Sequence, residues 1–109
     1  MHTAEVENLV SDWLAGDYSL FDACCDEPEV AWDAILTIAR RPLTEEQAAR
    51  LAAGPLETLL SQHGPAFIDR VELQADLDAR FNHLLGGVWR CDMADEVWAR
   101  VRRARRTTW

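Results

Sequence analysis

Lysine is missing from this chain, and all eleven of its basic residues are arginine. Arginine is also missing from residues 1–39, which carry nine acids, whereas five arginines lie within residues 100–109. The formal net charge is −8, and its distribution is uneven, with one end of the chain acidic and the other basic. Because nucleic-acid binding depends on a basic protein surface, the overall charge makes direct nucleic-acid binding unlikely as the main function.

Cysteine and long apolar runs are scarce as well. The three cysteines are Cys24, Cys25 and Cys91, and an odd count with two adjacent members does not form the disulfide framework of a small secreted domain. The first ten residues lack the positive start of a signal peptide. No apolar stretch approaches the roughly 20 residues that cross a bilayer. These absences predict a reduced, cytoplasmic protein without a membrane partner.

Apolar residues at helical spacing are abundant. They make up 49% of the 109 residues, enough for one folded domain over residues 1–109 with a single modest core. Val6, Val10 and Trp13 follow the spacing of one helix face. Thr44 and Gln47 form the pattern of a capping box at a helix start. The sequence therefore predicts an all-α fold.

Two Gly-Pro steps, Gly54-Pro55 and Gly64-Pro65, divide the middle of the chain. Glycine just after a helix and proline at the first position of the next are typical of helix boundaries. We therefore expect each step to be a tight corner between two helices. With the other boundaries this predicts a compact bundle of about seven or eight mostly short helices, or alternatively a HEAT-like α-solenoid arrangement.

Further predictions concern the second short helix and the carboxyl-terminal third. Phe21 is expected to point inward beside Leu20, and Trp89 to fill part of the core. Asp78 and Asp92 are expected to cap the helices that follow them. Glu96 and Arg100 have the spacing of an i, i+4 ion pair on one helix. Residues 102–109 are expected to fray.

Four segments resemble a bacterial family of small all-helical domains of unknown function. They are PEVAWDAILTIA, LAAGPLETLLSQHGPAFIDRV, ARFNHLLGGVW and DEVWARV, which carry an AWxAIL helix, an AAGPLExLLxxHG corner and an RFxxLLGGVW segment. The resemblance covers about residues 28–102. It implies an all-helical, solenoid-like domain and brings no activity, substrate or active site with it. Residues 1–27, an acidic helical region, and residues 103–109, a basic tail, lie outside it.

Chemically useful residues do not form a recognisable catalytic or metal-binding pattern. The donors are His2, His63, His83 and the three cysteines, and none has the spacing of a metal site. A cysteine–histidine pair would need proximity in the fold that no local motif supports, and a buried cysteine acting as a small apolar residue is the more common case. We therefore expect no enzyme activity, no metal and no cofactor.

The acidic amino-terminal half suggests a function in protein binding. An acidic surface steers a protein toward a basic partner, and small cytosolic inhibitors such as immunity proteins or phage anti-defence (anti-CRISPR) proteins use one in this way. In such an inhibitor, carboxylates take the place of nucleic-acid phosphates. The carboxylates expected to bind the partner are Glu5, Asp12, Asp17, Asp22, Asp26, Glu27 and Glu29.

Three other hypotheses remain open. The first is a structural or regulatory module, with a homodimer as one form of it, that uses an arginine-rich last helix with Arg100, Arg102, Arg103, Arg105 and Arg106. The second is a thiol-dependent activity at Cys24-Cys25. In the third, the charges have no partner: the acids are a solvated face and the basic tail neutralises them within the fold.

Overall fold

The apolar stripes fold into helices that the computed structural model describes over residues 3–109. The helices are α1 (Thr3–Leu14), α2 (Ser19–Asp26), α3 (Pro28–Ala39), α4 (Glu45–Leu51), α5 (Glu57–Leu77), α6 (Ala79–Leu85) and α7 (Asp95–Ala104). A π-helical segment, Ala52–Leu56, joins α4 to α5 without a break, so there are six continuous helices within residues 3–109. These residues contain no strand. The all-α prediction is confirmed, with slightly fewer helices than expected.

Helix α3 lies at the centre of the core because it is apolar around most of its circumference. Ala31, Ile35 and Ile38 are fully buried. The Trp32 ring lies 6.1 Å from that of Phe67 on α5 and 5.7 Å from that of Phe81 on α6, measured between centroids. These aromatic contacts join the two halves of the chain into one core. The molecule measures 33 × 27 × 23 Å, which fits a closed bundle better than an extended solenoid.

The first Gly-Pro step is not a corner, contrary to the prediction. Gly54 and Pro55 lie inside the π-helical segment, and the flanking Leu51, Ala52 and Leu56 all keep right-handed helical dihedral angles. A proline ring normally clashes with the carbonyl group one α-turn earlier. The wider π turn accommodates the ring, because its hydrogen bonds span five residues instead of four. The helix therefore continues through the proline.

The second Gly-Pro step does break the helix, although for a different reason from the one expected. His63 leaves the helical region, with φ −135° and ψ 25°, and kinks α5 just before Gly64. Gly64 does not adopt a positive φ. It is instead a close-contact position, since a Cβ atom there would lie 2.8 Å from Val97 Cγ1 on α7. Gly64 allows α5 and α7 to approach each other.

Two predicted helix starts are confirmed and one is wrong. Thr44 accepts a hydrogen bond from Gln47 N while the Gln47 side chain accepts one from Thr44 N, which completes the capping box. Asp78 caps α6 through Arg80 N and Phe81 N. Asp92 does not cap α7: the helix begins at Asp95, and the preceding Ala94 has no capping side chain. The loop over residues 91–94 places Met93 in the core instead.

The carboxyl-terminal tail is docked rather than frayed. Buried Asn82 donates to Ala75 O at 3.1 Å and to Ala104 O at 3.0 Å, and its Oδ1 accepts from Arg106 N at 2.9 Å. Trp109 N donates to Gly86 O at 3.1 Å. The prediction of fraying was wrong because composition alone could not reveal that Asn82 provides both a donor and an acceptor for the tail.

Two aromatic residues expected in the core are exposed. Trp89 is 66% exposed and Phe21 is 48% exposed. Trp89 follows the buried Val88 at the end of the turn after α6, where its backbone N–H donates to Glu57 Oε1 at 2.8 Å. This backbone anchor fixes the loop without burying the indole ring.

Candidate functional site

The predicted partner-binding carboxylates are all on the surface. We call Glu5, Asp12, Asp17, Asp22, Asp26, Glu27 and Glu29 the acidic surface; all seven are exposed. They lie on α1, on α2, in the links between helices, and in the first turn of α3. Their placement follows from the apolar stripes, because Val6, Val10 and Leu20 turn toward the core and leave the acids on the opposite sides.

A tight turn holds two of these acids in a fixed arrangement. Gly16 has φ +92°, a left-handed conformation that glycine adopts without steric cost. Beyond it, Asp17 Oδ1 accepts a hydrogen bond from Ser19 N at 2.7 Å, and the single hydroxyl hydrogen of Ser19 has two acceptors in reach, Asp17 Oδ1 at 2.5 Å and Asp12 Oδ2 at 3.2 Å. The hydrogen bonds from Ser19 lower the pKa of Asp17. Asp17 is therefore ionised at neutral pH and points in a defined direction.

Two exposed aromatic rings lie within the acidic surface. Tyr18 is 82% exposed, and Phe21 lies one helical turn further on. Together with Trp13 they border a surface depression of about 510 Å³, which Asp17 also lines. Exposed aromatic side chains are enriched where proteins bind one another. Sequence analysis missed this feature because it placed Phe21 in the core.

One arginine already occupies this depression. Arg50 lies with its guanidinium carbon 4.8 Å from the centroid of the Trp13 ring, a cation–π contact. Glu46, one α-helical turn before Arg50, also lines the depression. The site therefore combines aromatic faces with carboxylates, and an arginine of the chain itself shows that a guanidinium group fits against it.

Glu29 differs from the other members of the acidic surface. Its two oxygens accept from Arg70 in a bidentate ion pair, Nη1 to Oε1 at 2.7 Å and Nη2 to Oε2 at 2.9 Å. The hydrogen bonds to Glu29 raise the pKa of Arg70. Arg70 also packs on the Phe67 ring, with its guanidinium carbon 4.6 Å from the centroid. Glu29 is thus the least available carboxylate for a partner.

The carboxyl-terminal arginines are partly used within the fold. Arg100 does not pair with Glu96 as predicted; it reaches across to Glu72 and Asp69 on α5, and these hydrogen bonds raise its pKa. Arg105 lies 5.0 Å from the Trp98 ring centroid and donates to Val88 O. The remaining predicted contacts are exposed: Arg102, Arg103 and Arg106.

Cys24 and His63 each contact a backbone carbonyl group of a distant part of the chain. Cys24 Sγ donates to Pro55 O at 3.3 Å, and burial raises its pKa to about 12, which leaves little thiolate for nucleophilic attack. His63 Nε2 lies 2.8 Å from Cys25 O. Since a carbonyl oxygen only accepts, Nε2 carries the proton. These two contacts attach the end of α2 to Pro55 in the π-helical segment and to His63 at the kink of α5.

No metal-binding cluster is present within residues 3–109. His2, one of the histidines considered as a metal ligand, lies outside the described residues. His83 stacks on Trp109 with 5.1 Å between ring centroids. Cys91 is exposed.

These features define a small all-α domain with a carboxylate-rich surface around two exposed aromatic rings. The chain belongs to a family of unknown function, DUF6869, whose model matches residues 3–109. The match includes α1 and α2, which the motif segments of the sequence did not reach. No curated protein and no solved structure matches the chain. None of the helices within residues 3–109 is both long and apolar enough to span a membrane.

Proposed function

We propose that this protein is a non-enzymatic, cytoplasmic inhibitor whose acidic surface binds a basic partner protein and blocks the partner's basic site. The observation that carries the proposal is the exposure of Tyr18 and Phe21 in the middle of exposed carboxylates. Carboxylates provide long-range attraction and orientation. Aromatic side chains provide the apolar contact that most of the binding energy requires.

The balance of charge supports the same direction of binding. The basic residues that would attract nucleic acid lie at the opposite end of the chain, where Arg100 and Arg105 already have partners. Arg50 is the basic residue that lines the depression beside Tyr18. Two carboxylates, of Asp17 and Glu46, also line it, so a partner's arginine or lysine side chain meets more negative than positive groups there.

A basic surface that binds nucleic acid is the natural target of such an inhibitor. Carboxylates spaced over α1 and α2 would replace phosphates, and Asp12 and Asp17, which both lie within hydrogen-bonding distance of Ser19 Oγ, would present two of them side by side. Immunity proteins and phage anti-defence proteins, anti-CRISPR proteins among them, are the classes of inhibitor that this mechanism describes. Steering of this kind weakens as salt screens the charges.

The test is an affinity pull-down from a host lysate at low and high salt, with the wild type and with the triple variant Glu5→Lys, Asp22→Lys and Asp26→Lys. We expect the wild type to capture a partner with a basic surface, and the triple variant to lose it. High salt should weaken the capture. These three acids are exposed and make no hydrogen bond that holds a turn, unlike Asp17, so the variant should keep the fold.

A matched variant controls for the change in net charge. Asp76→Lys, Asp92→Lys and Glu96→Lys reverse three exposed acids outside the acidic surface. This control should capture the partner as the wild type does, apart from a general weakening of long-range attraction. Equal capture by the two variants would overturn the proposal, because it would show that only the net charge matters or that binding occurs elsewhere.

A homodimeric module is the second candidate, and one observation favours it. Leu73 and Leu77 lie one helical turn apart on α5 and are 60% and 73% exposed. Arg103 and Arg106 line a depression together with Leu73 and Asp76, so both signs of charge flank the apolar residues. A surface with both signs can pair with a second copy of itself. Recovery of only a stable dimer, unchanged by reversal of the acidic surface, would favour this candidate.

A further inference from the structure

A groove formed by α4, α6 and the loop before α4 has the features of a small-molecule site. It lies between the loop after α3, the start of α4 and helix α6, and has a volume of about 470 Å³. Leu43, Ala48 and Leu84 form its apolar floor. Sites for small ligands are typically apolar concavities of roughly 300–1,000 Å³ with a few polar groups at defined positions.

The polar groups at this groove are cationic. Arg41 and Arg80 line it, and none of the described residues that line it is acidic. Arg80 Nη1 donates to Arg40 O at 3.4 Å, which directs one edge of its guanidinium group and leaves the other N–H groups available. Among residues 3–109, the Arg41 side chain forms no hydrogen bond or ion pair. The groove is therefore positively charged, although the net charge of the chain is −8.

One wall of the groove is held rigidly. The ring of His83 lines the groove and stacks on Trp109, with 12° between the planes. Trp109 Nε1 donates to His83 O at 2.5 Å. The indole lies directly against Gly87, where a Cβ atom would be 2.6 Å from its ring. The wall is thus fixed by hydrogen bonds and by close packing on glycine, so the groove exists before any ligand binds.

We propose that this groove binds an amphipathic carboxylate, an anion with an aliphatic or aromatic body. The carboxylate accepts hydrogen bonds from Arg41 and Arg80, whose planar donor groups match its two oxygens. The apolar body lies on Leu43, Ala48 and Leu84 beside the His83 ring. This site is separate from the acidic surface, and it depends neither on the proposed partner nor on its identity.

Isothermal titration calorimetry with sodium octanoate and with 1-octanol tests the proposal. The two probes have the same apolar chain and differ in the charged group. We expect saturable binding of one octanoate per protein, and binding of octanol weaker by about tenfold or more, because the charge-assisted hydrogen bonds are lost. Equal affinity for the two probes, or no saturable octanoate binding, would overturn the proposal.

Two variants locate the site. Arg41→Gln with Arg80→Gln should weaken octanoate binding by about tenfold or more, whereas the matched pair Arg102→Gln with Arg103→Gln removes the same charge from α7 and should leave the affinity within about twofold. Unchanged octanoate binding by the Arg41 and Arg80 variant would place the ligand elsewhere and reject the groove. Circular dichroism checks that each variant keeps its helices.

A third variant keeps the proposal testable if removal of the arginines disturbs the fold. Ala79 is exposed and lines the groove, so Ala79→Trp fills the opening without entering the core. Octanoate binding should then be lost. Octanoate should also change the fluorescence of the wild type through Trp109, which stacks on the groove-lining His83, and Trp109→Phe should remove that change. Full octanoate binding by the Ala79→Trp variant would reject the groove independently of charge.

Discussion

The two ends of this molecule carry opposite charges and use them in different ways. Around α1 and α2 the carboxylates of the acidic surface are exposed, and at the start of α3 Glu29 forms an ion pair with Arg70 of α5. Around α7 two arginines contact other parts of the chain: Arg100 pairs with Glu72 and Asp69, and Arg105 lies against Trp98 and donates to Val88 O. Part of the charge at the carboxyl-terminal end therefore stabilises the fold, whereas most of the acidic surface at the amino-terminal end is solvated.

The two ends of the molecule also differ in the burial of the hydrogen bonds that their polar side chains form. At the carboxyl-terminal end, buried Asn82 joins α5, the end of α7 and the tail through three hydrogen bonds. At the amino-terminal end, the polar contacts of Ser19, Asp12 and Asp17 are exposed and local. Buried hydrogen bonds are costly to break and exposed ones are not. Substitutions should therefore affect stability at one end and binding at the other.

The largest effect on stability is expected at Asn82. Asn82→Ala removes the partner of Ala75 O, which is buried, and of Ala104 O and Arg106 N, which are partly buried; this should lower the free energy of unfolding by about 3 kcal/mol. Urea denaturation, monitored by circular dichroism, measures this free energy of unfolding. Asn8→Ala on the exposed side of α1 is the control, with a change within about 0.5 kcal/mol. Similar losses for both would remove the contrast between the two ends.

The two Gly-Pro steps should respond in opposite directions. Gly64→Ala places a Cβ atom 2.8 Å from Val97 Cγ1, and the resulting displacement of α7 should cost about 1–3 kcal/mol. Gly54→Ala meets no atom within 4 Å and should stabilise the helix by about 0.5–1 kcal/mol, since alanine has the higher helix propensity. The same urea experiment measures both. Destabilisation by Gly54→Ala to the same extent would show that the π turn itself requires glycine.

The smallest effect is expected among the arginines. Arg100→Gln removes the cation between Glu72 and Asp69, so it should lower the midpoint of urea denaturation, and added salt should reduce the difference from the wild type. Arg102 forms no ion pair with any of residues 3–109, so Arg102→Gln should leave the midpoint unchanged. An equal response of the two variants would mean that the internal ion pairs contribute nothing to the fold.

Sequence patterns predicted the parts of the fold that depend on neighbouring residues. The stripe of Val6, Val10 and Trp13, the capping box at Thr44 and the cap at Asp78 all formed as expected. Each depends on spacing within one helix, which the sequence displays directly. The exposure of the predicted acids followed in the same way from the position of the apolar stripes.

Features that depend on distant residues could not be predicted in this way. Arg100 had a suitable partner one turn away in Glu96 and yet pairs with α5, which only the packing of α5 against α7 brings near. Trp109 lies on Gly87 because the chain turns back there, and a tail of arginines gives no sign of that contact. At the candidate site, Phe21 is apolar and follows Leu20 directly, but the buried positions of α2 are Leu20, Ala23 and Cys24, so Phe21 is exposed.

The wrongly predicted corner at Gly54-Pro55 is a different case, because the sequence does contain a pattern that indicates a continuous helix there. Apolar pairs recur every four residues, at Leu51-Ala52, Pro55-Leu56 and Leu59-Leu60, and all six residues are buried. A plain α-helix repeats every 3.6 residues, so a stripe with a period of four drifts around its surface. A π turn, with more residues per turn, keeps the pairs aligned. The longer period therefore indicates a continuous widened helix where the Gly-Pro step alone indicated a boundary.

The π segment also has a consequence for how relatives of this chain should vary in length. A π turn contains one residue more than an α turn, so it can be gained or lost as a single-residue insertion within a helix that stays intact. Relatives without the Gly-Pro step at Gly54-Pro55 should be one residue shorter between the capping box at Thr44 and the kink at His63. Their alignment would show a one-residue gap inside a helix, where gaps are otherwise least expected.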